Sequence, residues 1–338
     1  MLLQKNHSLK NLNTFGVDVR TKLFAEVFSE DELIDLLTDE KVNRERNLIL
    51  GCGSNILFTK DFDGLVIKYS KAKIDVTENN SESVFVEADA GLIWDDLVKF
   101  CVERNYGGIE NLTLIPGTVG AAPIQNIGAY GQELADSFDS LRGVFIKSGE
   151  KKSFEKSECR FSYRSSIFKT ELKNEFVITS VRLKLSKNPR PNTNYKALSD
   201  HLSKKEIINP SIEDISNTVS EIRRSKLPDP VKVGNAGSFF KNPVVSEDLF
   251  QKIKSEFSDI VSFPSESGKI KISAGWLTEK SGWKGKRVGD VGTSPDHALV
   301  ICNFGNATGA EIMEFAMRIK EVVSNKFGII LEEEVNIF

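Results

Sequence analysis

The chain has 338 residues, of which 40% are apolar and 28% charged, and its formal net charge is −3 at pH 7. This length suggests two or three domains, and the average composition excludes a disordered or fibrous protein. Lysines and arginines are interleaved with acidic residues and form no basic stripe, which argues against a nucleic-acid-binding protein.

Cysteine spacing and hydropathy argue against further classes of protein. The four cysteines lie far apart without a CxxC pair, which predicts reduced thiols and no zinc site: Cys52, Cys101, Cys159 and Cys302. No apolar run approaches the roughly 18 to 20 residues that cross a bilayer, and the N-terminus lacks the apolar core of a signal peptide. We therefore expect a cytoplasmic protein with no metal and no membrane insertion.

The N-terminal third predicts strands joined by a glycine turn. Residues 47–68 place the apolar runs NLIL, ILF and LVIK around the turn GCGSN, which indicates strand, tight turn and strand. VFVEADAG at 84–91 predicts another strand. Apolar residues at helical spacing from Trp94 to Val102 then predict a helix that ends before Gly107.

The segment GGIENLTLIPGTVGAAPIQNIGAYG (107–131) is rich in Gly, Ala and Pro and has scarcely a charge. Loops of this length without their own structure are uncommon and usually functional. Small residues let a flat ligand approach closely, and Gln125 and Asn126 offer paired amide donors and acceptors. One interpretation is therefore a site for a large ring system with polar edges; the alternative is a buried structural loop.

The remaining elements predict a mixed architecture. GVFIKSG and FVITSVRLKL read as short strands, and helices are expected at about 211–225, 246–257 and 308–327, the last closed by Gly328. The prolines of LPDP end the first of these helices and mark a domain boundary. ALVICN and the terminal IILEEEVNIF are read as strands. Mixed strands and helices indicate an α+β or α/β fold.

Three polar groups are candidate site residues with open alternatives. GCGSN is either a plain turn or a nest of N–H groups for an anionic oxygen, and it is neither a Walker loop nor a Rossmann fingerprint. Arg164 in RFSYRSSIFK is either a solvated charge or a bidentate partner for a carboxylate. Along a terminal strand, Glu332 and Glu334 would share one face and Glu333 the other.

The stretch GNAGSFFKNP (234–243) brackets one hydroxyl, that of Ser238, with small residues before it and two phenylalanines after it. Glycines let another group approach the backbone closely. We expect Phe239 and Phe240 to anchor this turn in the core.

A colinear series of motifs resembles the UDP-N-acetylenolpyruvoylglucosamine reductase family. The stretches run in order over nearly the whole chain: NTFGVD, GCGSNILF, GIENLTLIPGTVGAAPIQNIGAYG, CRFSYRSSIFK, KLPDP, GNAGSFFKNP, AGWLTEKSGWKGKRVGD, DHALVICN and LEEEV. Such a series is highly specific, although any single member is not. The chain departs from the family in having LEEEV for the usual LEPEV, and NTNYKAL for a tyrosine-glycine pattern.

The resemblance implies an α+β flavoprotein in three parts, with a vanillyl-alcohol-oxidase-like FAD-binding region of two α+β domains and a third, α/β substrate domain. The implied boundaries are 1–70 plus 321–338, then 71–225 with a tyrosine loop at 188–205, then 226–320. It also implies non-covalent FAD, NADPH as co-substrate, and reduction of UDP-N-acetylglucosamine-enolpyruvate to UDP-N-acetylmuramate for peptidoglycan. We expect a monomer.

The same resemblance implies the site residues. The catalytic set is Ser238 as proton donor, Arg164 as substrate-activating arginine, and Glu334. The FAD-binding set is Gly51, Cys52, Gly53, Ser54, Asn55, Ile115, Pro116, Gly117, Gly120, Ala121, Ala122, Ile124, Gln125, Asn126, Gly128 and Ala129. The substrate-binding set is Tyr130, Tyr195, Arg223, Lys226, Asn242 and His297.

These residues suit the reduction of an enol ether, in which the attached carboxylate must act as an electron sink. Arg164 would stabilise the growing charge, and Ser238 would protonate the enolate-like intermediate. We hypothesise that Glu334 is protonated beside that anion and donates a hydrogen bond. The alternatives are a flavin oxidase of the same superfamily with the flavin tethered through Cys52, and a non-catalytic sugar-nucleotide or flavin-binding protein.

Overall fold

A computed structural model describes residues 2–42, 44–265 and 268–338, and the chain forms two compact units. The first unit comprises the residues up to His7, Thr21–Cys52 and Asp63–Arg223. The second comprises Ser8–Arg20, Gly53–Phe62 and Arg224–Phe338. Both mix helices and strands, which confirms the predicted α+β class. The division into three domains stays a prediction.

A four-stranded sheet and a five-stranded antiparallel sheet build the first unit. The four-stranded sheet has the spatial order β1-β2-β5-β3, with β1 at Leu3–Ser8, β2 at Arg20–Val27, β3 at Asn47–Leu50 and β5 at Phe62–Tyr69, and β3 and β5 are parallel. The antiparallel sheet has the order β11-β10-β12-β7-β6, with β6 at Ile74–Asn79, β7 at Ser83–Asp89, β10 at Phe138–Phe145, β11 at Lys151–Glu155 and β12 at Phe176–Ser186. A short ribbon pairs β8 (Gly128–Ala129) with β9 (Gln132–Glu133).

The α-helices of the first unit pack through apolar faces. They are α1 (Glu30–Thr38), α2 (Trp94–Val102), α3 (Leu134–Ser137), α4 (Lys196–Lys204) and α5 (Ile212–Lys226). Leu33 and Leu36 of α1 are fully buried in the core that also contains Trp94 of α2. A separate cluster joins α4 to α5. The 3.6-residue spacing in the sequence therefore predicts the buried faces of α2 and α5.

Where the structure describes it, the second unit is built mainly from short strands and α-helices. One sheet has the order β13-β19-β18-β17, with β13 at Gly234–Ser238, β17 at Arg287–Val288, β18 at Val291–Thr293 and β19 at Val300–Asn303. A smaller sheet has the order β14-β16-β15, with β14 at Val244–Val245, β15 at Ser262–Pro264 and β16 at Ile270–Ile272. The helices are α6 (Glu247–Glu256), α7 (Ala274–Lys280) and α8 (Gly309–Phe327).

Capping residues set the ends of α8. Thr308 and Glu311 form a reciprocal capping box at its start. Gly328 ends the helix with a left-handed φ of 67°. A residue with a Cβ is disfavoured in that conformation, so the glycine closes the helix as predicted.

The predicted strand over 329–338 is wrong for most of its length. The residues that form a strand are Asn336–Ile337 (β20), parallel to β4 (Ile56–Leu57), while Glu333 makes an isolated bridge with Phe240. The segment breaks between these pairings because it bonds to two different partners. The alternation of the three glutamates stays a prediction, and Glu333 accepts a hydrogen bond from Lys320 Nζ at 2.6 Å.

Two further sequence features are visible in the fold. The four cysteines are free thiols, as predicted. Among the residues that the structure describes, the helices are all too short or too polar to traverse a lipid bilayer.

Glu30, at the start of α1, ties this helix to the antiparallel sheet. Its carboxylate accepts hydrogen bonds from Arg142 Nε of β10 at 3.0 Å and from Thr179 Oγ1 of β12. It also pairs with Lys151 of β11 at 3.3 Å. Burial acts to raise the pKa of Glu30, but the hydrogen bonds from Thr179 and Arg142 outweigh it and lower the pKa.

We expect Glu30→Ala to lower the free energy of unfolding by about 1–3 kcal/mol, since it removes charge-assisted hydrogen bonds. A group with a lowered pKa stabilises the fold above its ordinary value of 4.5, and this contribution is lost as the pH falls through the lowered value. The difference in the free energy of unfolding between Glu30→Ala and the wild type should therefore disappear at acidic pH. Urea unfolding of the flavin-loaded protein at several pH values measures it, with the exposed Asp35→Ala on the same helix as control.

Candidate active site

The two segments predicted to hold FAD meet within the first unit. A Cβ at Gly51, just after β3, would lie 2.9 Å from Thr118 Oγ1. This distance is tighter than ordinary van der Waals contact, so a glycine is needed for the loop to approach Thr118. The predicted cofactor segments are therefore neighbours in space.

Main-chain hydrogen bonds fix the 115–122 segment along the end of β7 and the start of α2. Gly120 N–H donates to the Ala90 carbonyl at 2.9 Å, and Trp94 N–H donates to the Gly117 carbonyl at 3.0 Å. A Cβ at Gly120 would meet the Ala90 side chain at 2.5 Å. The small residues of this segment thus serve close packing of the backbone as well as any ligand.

Backbone donors near the Gly51–Thr118 contact suit an anionic group. The N–H groups of Cys52, Gly117 and Thr118 donate to no protein acceptor within residues 2–42, 44–265 and 268–338. Successive backbone donors in glycine turns bind phosphate oxygens. The residues present therefore fit the pyrophosphate of a dinucleotide such as FAD.

The other predicted cofactor residues of the first unit differ in exposure. Asn126 is buried, and its amide is used within the protein: it donates to Glu133 Oε2 at 2.7 Å and accepts from Ala135 N–H at 3.0 Å. Gln125 is half-buried. The remaining positions are buried at Ala122, exposed at Pro116 and Ala121, and half-buried at Ile115, Gly117, Gly120, Ile124, Gly128 and Ala129.

Cys52 is a thiol in this environment, since burial raises its pKa. A raised pKa disfavours the thiolate, which is the nucleophilic form of cysteine. This observation does not favour the tethered-flavin alternative.

In the second unit, the end of the GCGSN turn supports the main chain of Glu334. Asn55 Nδ2 donates to the Glu334 carbonyl at 3.2 Å, and Asn336 N–H donates to the Asn55 carbonyl at 3.1 Å. Gly53 has a φ of +64° and packs so closely that a Cβ would collide with the Leu12 carbonyl oxygen. The glycine turn therefore has a structural role beside its predicted role in cofactor binding; the half-buried Ser54 adjoins it.

Main-chain hydrogen bonds bring the backbone around Ser238 next to the backbone of Glu334. Glu334 N–H donates to the carbonyl of Phe239, the residue after Ser238, at 2.8 Å. Phe239 N–H in turn donates to the Leu299 carbonyl at 2.9 Å. The Ser238 backbone is thus held between the start of β19 and the C-terminal segment, and both predicted catalytic side chains are half-buried.

Phe239 and Phe240 anchor this turn, as predicted. Both are buried, and their rings pack edge to face with centroids 5.1 Å apart. Gly237 precedes Ser238 with a φ of +70° and open space where a Cβ would lie. Ser238 thus stands between a glycine with free space beside it and two phenylalanines that are fixed in the core.

Arg164 lies in a tight hairpin of the first unit. Ser162 and Ser165 exchange two main-chain hydrogen bonds at 3.1 Å, which leaves Tyr163 and Arg164 as the turn residues. Arg164 has a φ of +54°, a left-handed value that is uncommon for arginine. Its Nη1 lies 3.4 Å from where a Cβ of Gly128 would stand, so the guanidinium lies beside a predicted cofactor position.

Three predicted substrate residues form one cluster in the first unit. The rings of Tyr130 and Tyr195 pack edge to face with centroids 5.5 Å apart, and Arg223 lies close enough to act on the pKa of Tyr130. Burial raises the pKa of Tyr130 and lowers that of Arg223, which the positive charge of Arg164 lowers further. Two guanidinium groups close enough to affect each other suit an anionic ligand.

The other predicted substrate residues lie around α7 in the second unit. Asn242 Oδ1 accepts a hydrogen bond from Ala274 N–H at 2.9 Å, at the start of α7. His297 Nδ1 accepts from Leu299 N–H at 3.3 Å, and burial, together with the charges of Lys226 and Lys284, lowers the pKa of His297. Lys226 is exposed. A neutral His297 whose Nδ1 accepts from the main chain carries its proton on Nε2, so that nitrogen can donate a hydrogen bond.

Sequence reasoning missed Thr118 and Asn111. Thr118 stands next to glycines assigned to the cofactor, and this position is the signal that could have indicated it. Asn111 is fully buried and its Nδ2 donates to two main-chain carbonyls. An asparagine within a loop gives no sign of such burial, because polar residues of loops are usually exposed.

Comparisons with known proteins identify the family of this chain. Residues 229–338 match the family described as UDP-N-acetylenolpyruvoylglucosamine reductase, C-terminal domain, and residues 21–152 match an FAD binding domain. A reductase of that name from Flavobacterium johnsoniae is 45% identical over 338 residues, covering 100% of both chains. One from Pseudomonas aeruginosa is 44% identical and covers 99% of both.

Solved structures show the same fold. The reductase from Thermus caldophilus superposes with a TM-score of 0.71 at 25% identity, over 100% of this chain and 99% of that one. The 6-hydroxy-D-nicotine oxidase from Arthrobacter nicotinovorans has a TM-score of 0.52 at 12% identity, over 92% of this chain and 82% of the other, and shows the fold alone. The fold and the FAD-binding domain define an FAD-dependent oxidoreductase. The chain belongs to the UDP-N-acetylenolpyruvoylglucosamine reductase family.

Proposed function

We propose that this chain reduces the enolpyruvyl ether of UDP-N-acetylglucosamine-enolpyruvate to UDP-N-acetylmuramate, a peptidoglycan precursor, with FAD as cofactor and NADPH as co-substrate. The single observation that carries the proposal is the full-length identity to reductases of this name. The convergence of Ser238 and Glu334 in one unit supports it.

The chemistry requires that a carboxylate accept electron density. When bound, FAD supplies the hydride that adds to the β-carbon of the enol ether. Arg164 is always protonated and binds the substrate carboxylate, whose negative charge grows as the bond forms. A guanidinium offers two parallel donors to a carboxylate, so it both orients this group and stabilises its charge.

Ser238 completes the reaction as the acid. Reduction leaves an enolate-like carbon that is basic enough to take a proton even from an alcohol, and the Ser238 hydroxyl donates it. Main-chain bonds on both sides of Phe239 hold the adjacent backbone, so the hydroxyl is positioned by rigid elements.

Glu334 acts beside Ser238 as a hydrogen-bond donor to the same developing anion. Its main chain is fixed by bonds to Phe239 and Asn55, which supports a defined position for this residue. The residues that would bind the sugar nucleotide are Tyr130, Tyr195, Arg223, Lys226, Asn242 and His297.

The visible spectrum of the purified protein tests this function directly. We expect a flavin spectrum that NADPH bleaches and that the enolpyruvyl substrate restores without oxygen. Recovery by oxygen alone would instead indicate the oxidase alternative, and a spectrum that NADPH does not change would indicate a binding protein. A cytoplasmic location and a monomeric state remain predictions.

Substitution of Gly51 tests the proposed FAD cradle. We expect Gly51→Ala to weaken FAD binding about tenfold, because the new methyl group forces Thr118 away from the loop. The double variant Gly51→Ala/Thr118→Ala removes the clashing side chain and should recover most of the affinity. Flavin titration of the apoprotein measures both, and equal loss in single and double variants would contradict the cradle.

A further inference from the structure

Asn111 and Asn192 connect the segment that carries Tyr195 to the turn that carries Tyr130. Asn111 Nδ2 donates at 2.9 Å both to the Tyr130 carbonyl and to the Asn192 carbonyl. Asn192 Nδ2 donates at 2.9 Å to the Gly131 carbonyl. The Asn111 amide thus bonds to both segments, and the Asn192 amide bonds its own segment to the turn at Gly131. We call Asn111 and Asn192 together the asparagine clasp.

The burial of Asn111 shows that this contact is specific. Its side chain is 0% exposed, and its Oδ1 is buried with no hydrogen-bond partner in the described part of the chain. An unsatisfied buried acceptor costs free energy, so an apolar residue would serve better if packing were the purpose of this position. The two hydrogen bonds that Nδ2 donates are what the asparagine adds.

The clasp determines where Tyr195 stands. Asn192 Oδ1 also accepts from Asn194 N–H at 3.1 Å, which orders the main chain just before Tyr195. A Cβ at Gly131, whose φ is +83°, would lie 3.6 Å from both Asn192 Nδ2 and the Tyr195 Cβ. The two segments are therefore in van der Waals contact at Gly131, whose positive φ favours glycine, and the rings of Tyr130 and Tyr195 meet edge to face.

We propose that Asn111 and Asn192 are positioning residues that hold Tyr195 against Tyr130 before substrate binds. This inference rests on the proposed function, in which the tyrosine pair and Arg223 contact the sugar nucleotide. A loop that is already ordered loses less conformational entropy on binding, so the clasp strengthens substrate binding without entering the chemical steps. Its effect should therefore appear in KM and not in kcat.

The test compares Asn192→Ala and Asn111→Ala with Asn188→Ala, an exposed asparagine of the same segment. For each clasp variant we expect the KM for the enolpyruvyl substrate to rise about five- to tenfold, as loss of one or two hydrogen bonds implies. The kcat and the limiting rate of flavin reduction by NADPH should stay within about twofold. Asn188→Ala should match wild type throughout.

A second measurement separates positioning from general stability. In a Tyr195→Ala background, Asn192→Ala should raise KM no further, because the clasp acts through that ring. Hydrogen exchange of the peptide around residues 190–198 should accelerate in Asn192→Ala, while exchange elsewhere stays unchanged. Asn192→Ala keeps the interior intact, so it remains informative even if Asn111→Ala fails to fold.

The inference is overturned if the wild type reduces the substrate and Asn192→Ala keeps its KM, or if the effects of Asn192→Ala and Tyr195→Ala on KM multiply. A fall in kcat with unchanged KM would equally contradict it. A wild-type protein that fails to oxidise NADPH in response to the substrate would overturn the proposed function itself.

Discussion

Ser238→Ala should reduce the rate of substrate reduction by about 10²- to 10⁴-fold, the range for loss of a catalytic acid. The bound flavin should still be reduced by NADPH at nearly the wild-type rate, because this half-reaction needs no proton from Ser238. Phe239 keeps its main-chain bonds to Leu299 and Glu334 in the variant, so the local backbone should persist. Stopped-flow measurement of the two half-reactions separates these steps.

The matched control is Ser255→Ala, an exposed serine of α6 in the same unit. It should leave both half-reactions unchanged. If Ser238→Ala slowed both half-reactions equally, the defect would lie in binding and Ser238 would not be the acid.

Replacement of Glu334 should distinguish hydrogen-bond donation from negative charge. We expect Glu334→Ala to lower kcat about 10²- to 10³-fold, as for removal of one donor to a developing anion. Glu334→Gln keeps a donor of similar shape and should stay within about tenfold of wild type. Both variants retain the main-chain N–H that bonds to Phe239, so the comparison isolates the carboxyl group.

Glu332→Gln is the control for this series. Glu332 is exposed and pairs with Lys241 at 3.2 Å, away from the Phe239 contact. Its substitution should leave kcat and KM unchanged. Equal inactivity of Glu334→Gln and Glu334→Ala would show that donation by this group is not its role.

The local sequence pattern was sufficient to predict several parts of the fold. The apolar stripe of α8, its closure by Gly328 and the aromatic anchor formed by Phe239 and Phe240 follow from the sequence, because each depends on neighbours in the chain. The strand predicted at 329–338 failed because apolar alternation does not reveal where pairing partners end. That segment bonds first beside β13 and then to β4, with a break between.

The candidate site, like the fold, was predictable from the sequence in some respects and not in others. The sequence by itself determined the family, the flavin chemistry and the identity of the proposed catalytic groups, because motifs record which residue types occur in which order. Only the tertiary structure decided that Glu334 lies beside Ser238, that Gly51 abuts Thr118, and that Asn111 is buried under two loops. Each of these contacts joins residues that are distant in the chain and involves main-chain atoms of at least one of them. Main-chain contacts leave no periodic pattern in the types of side chain along the sequence.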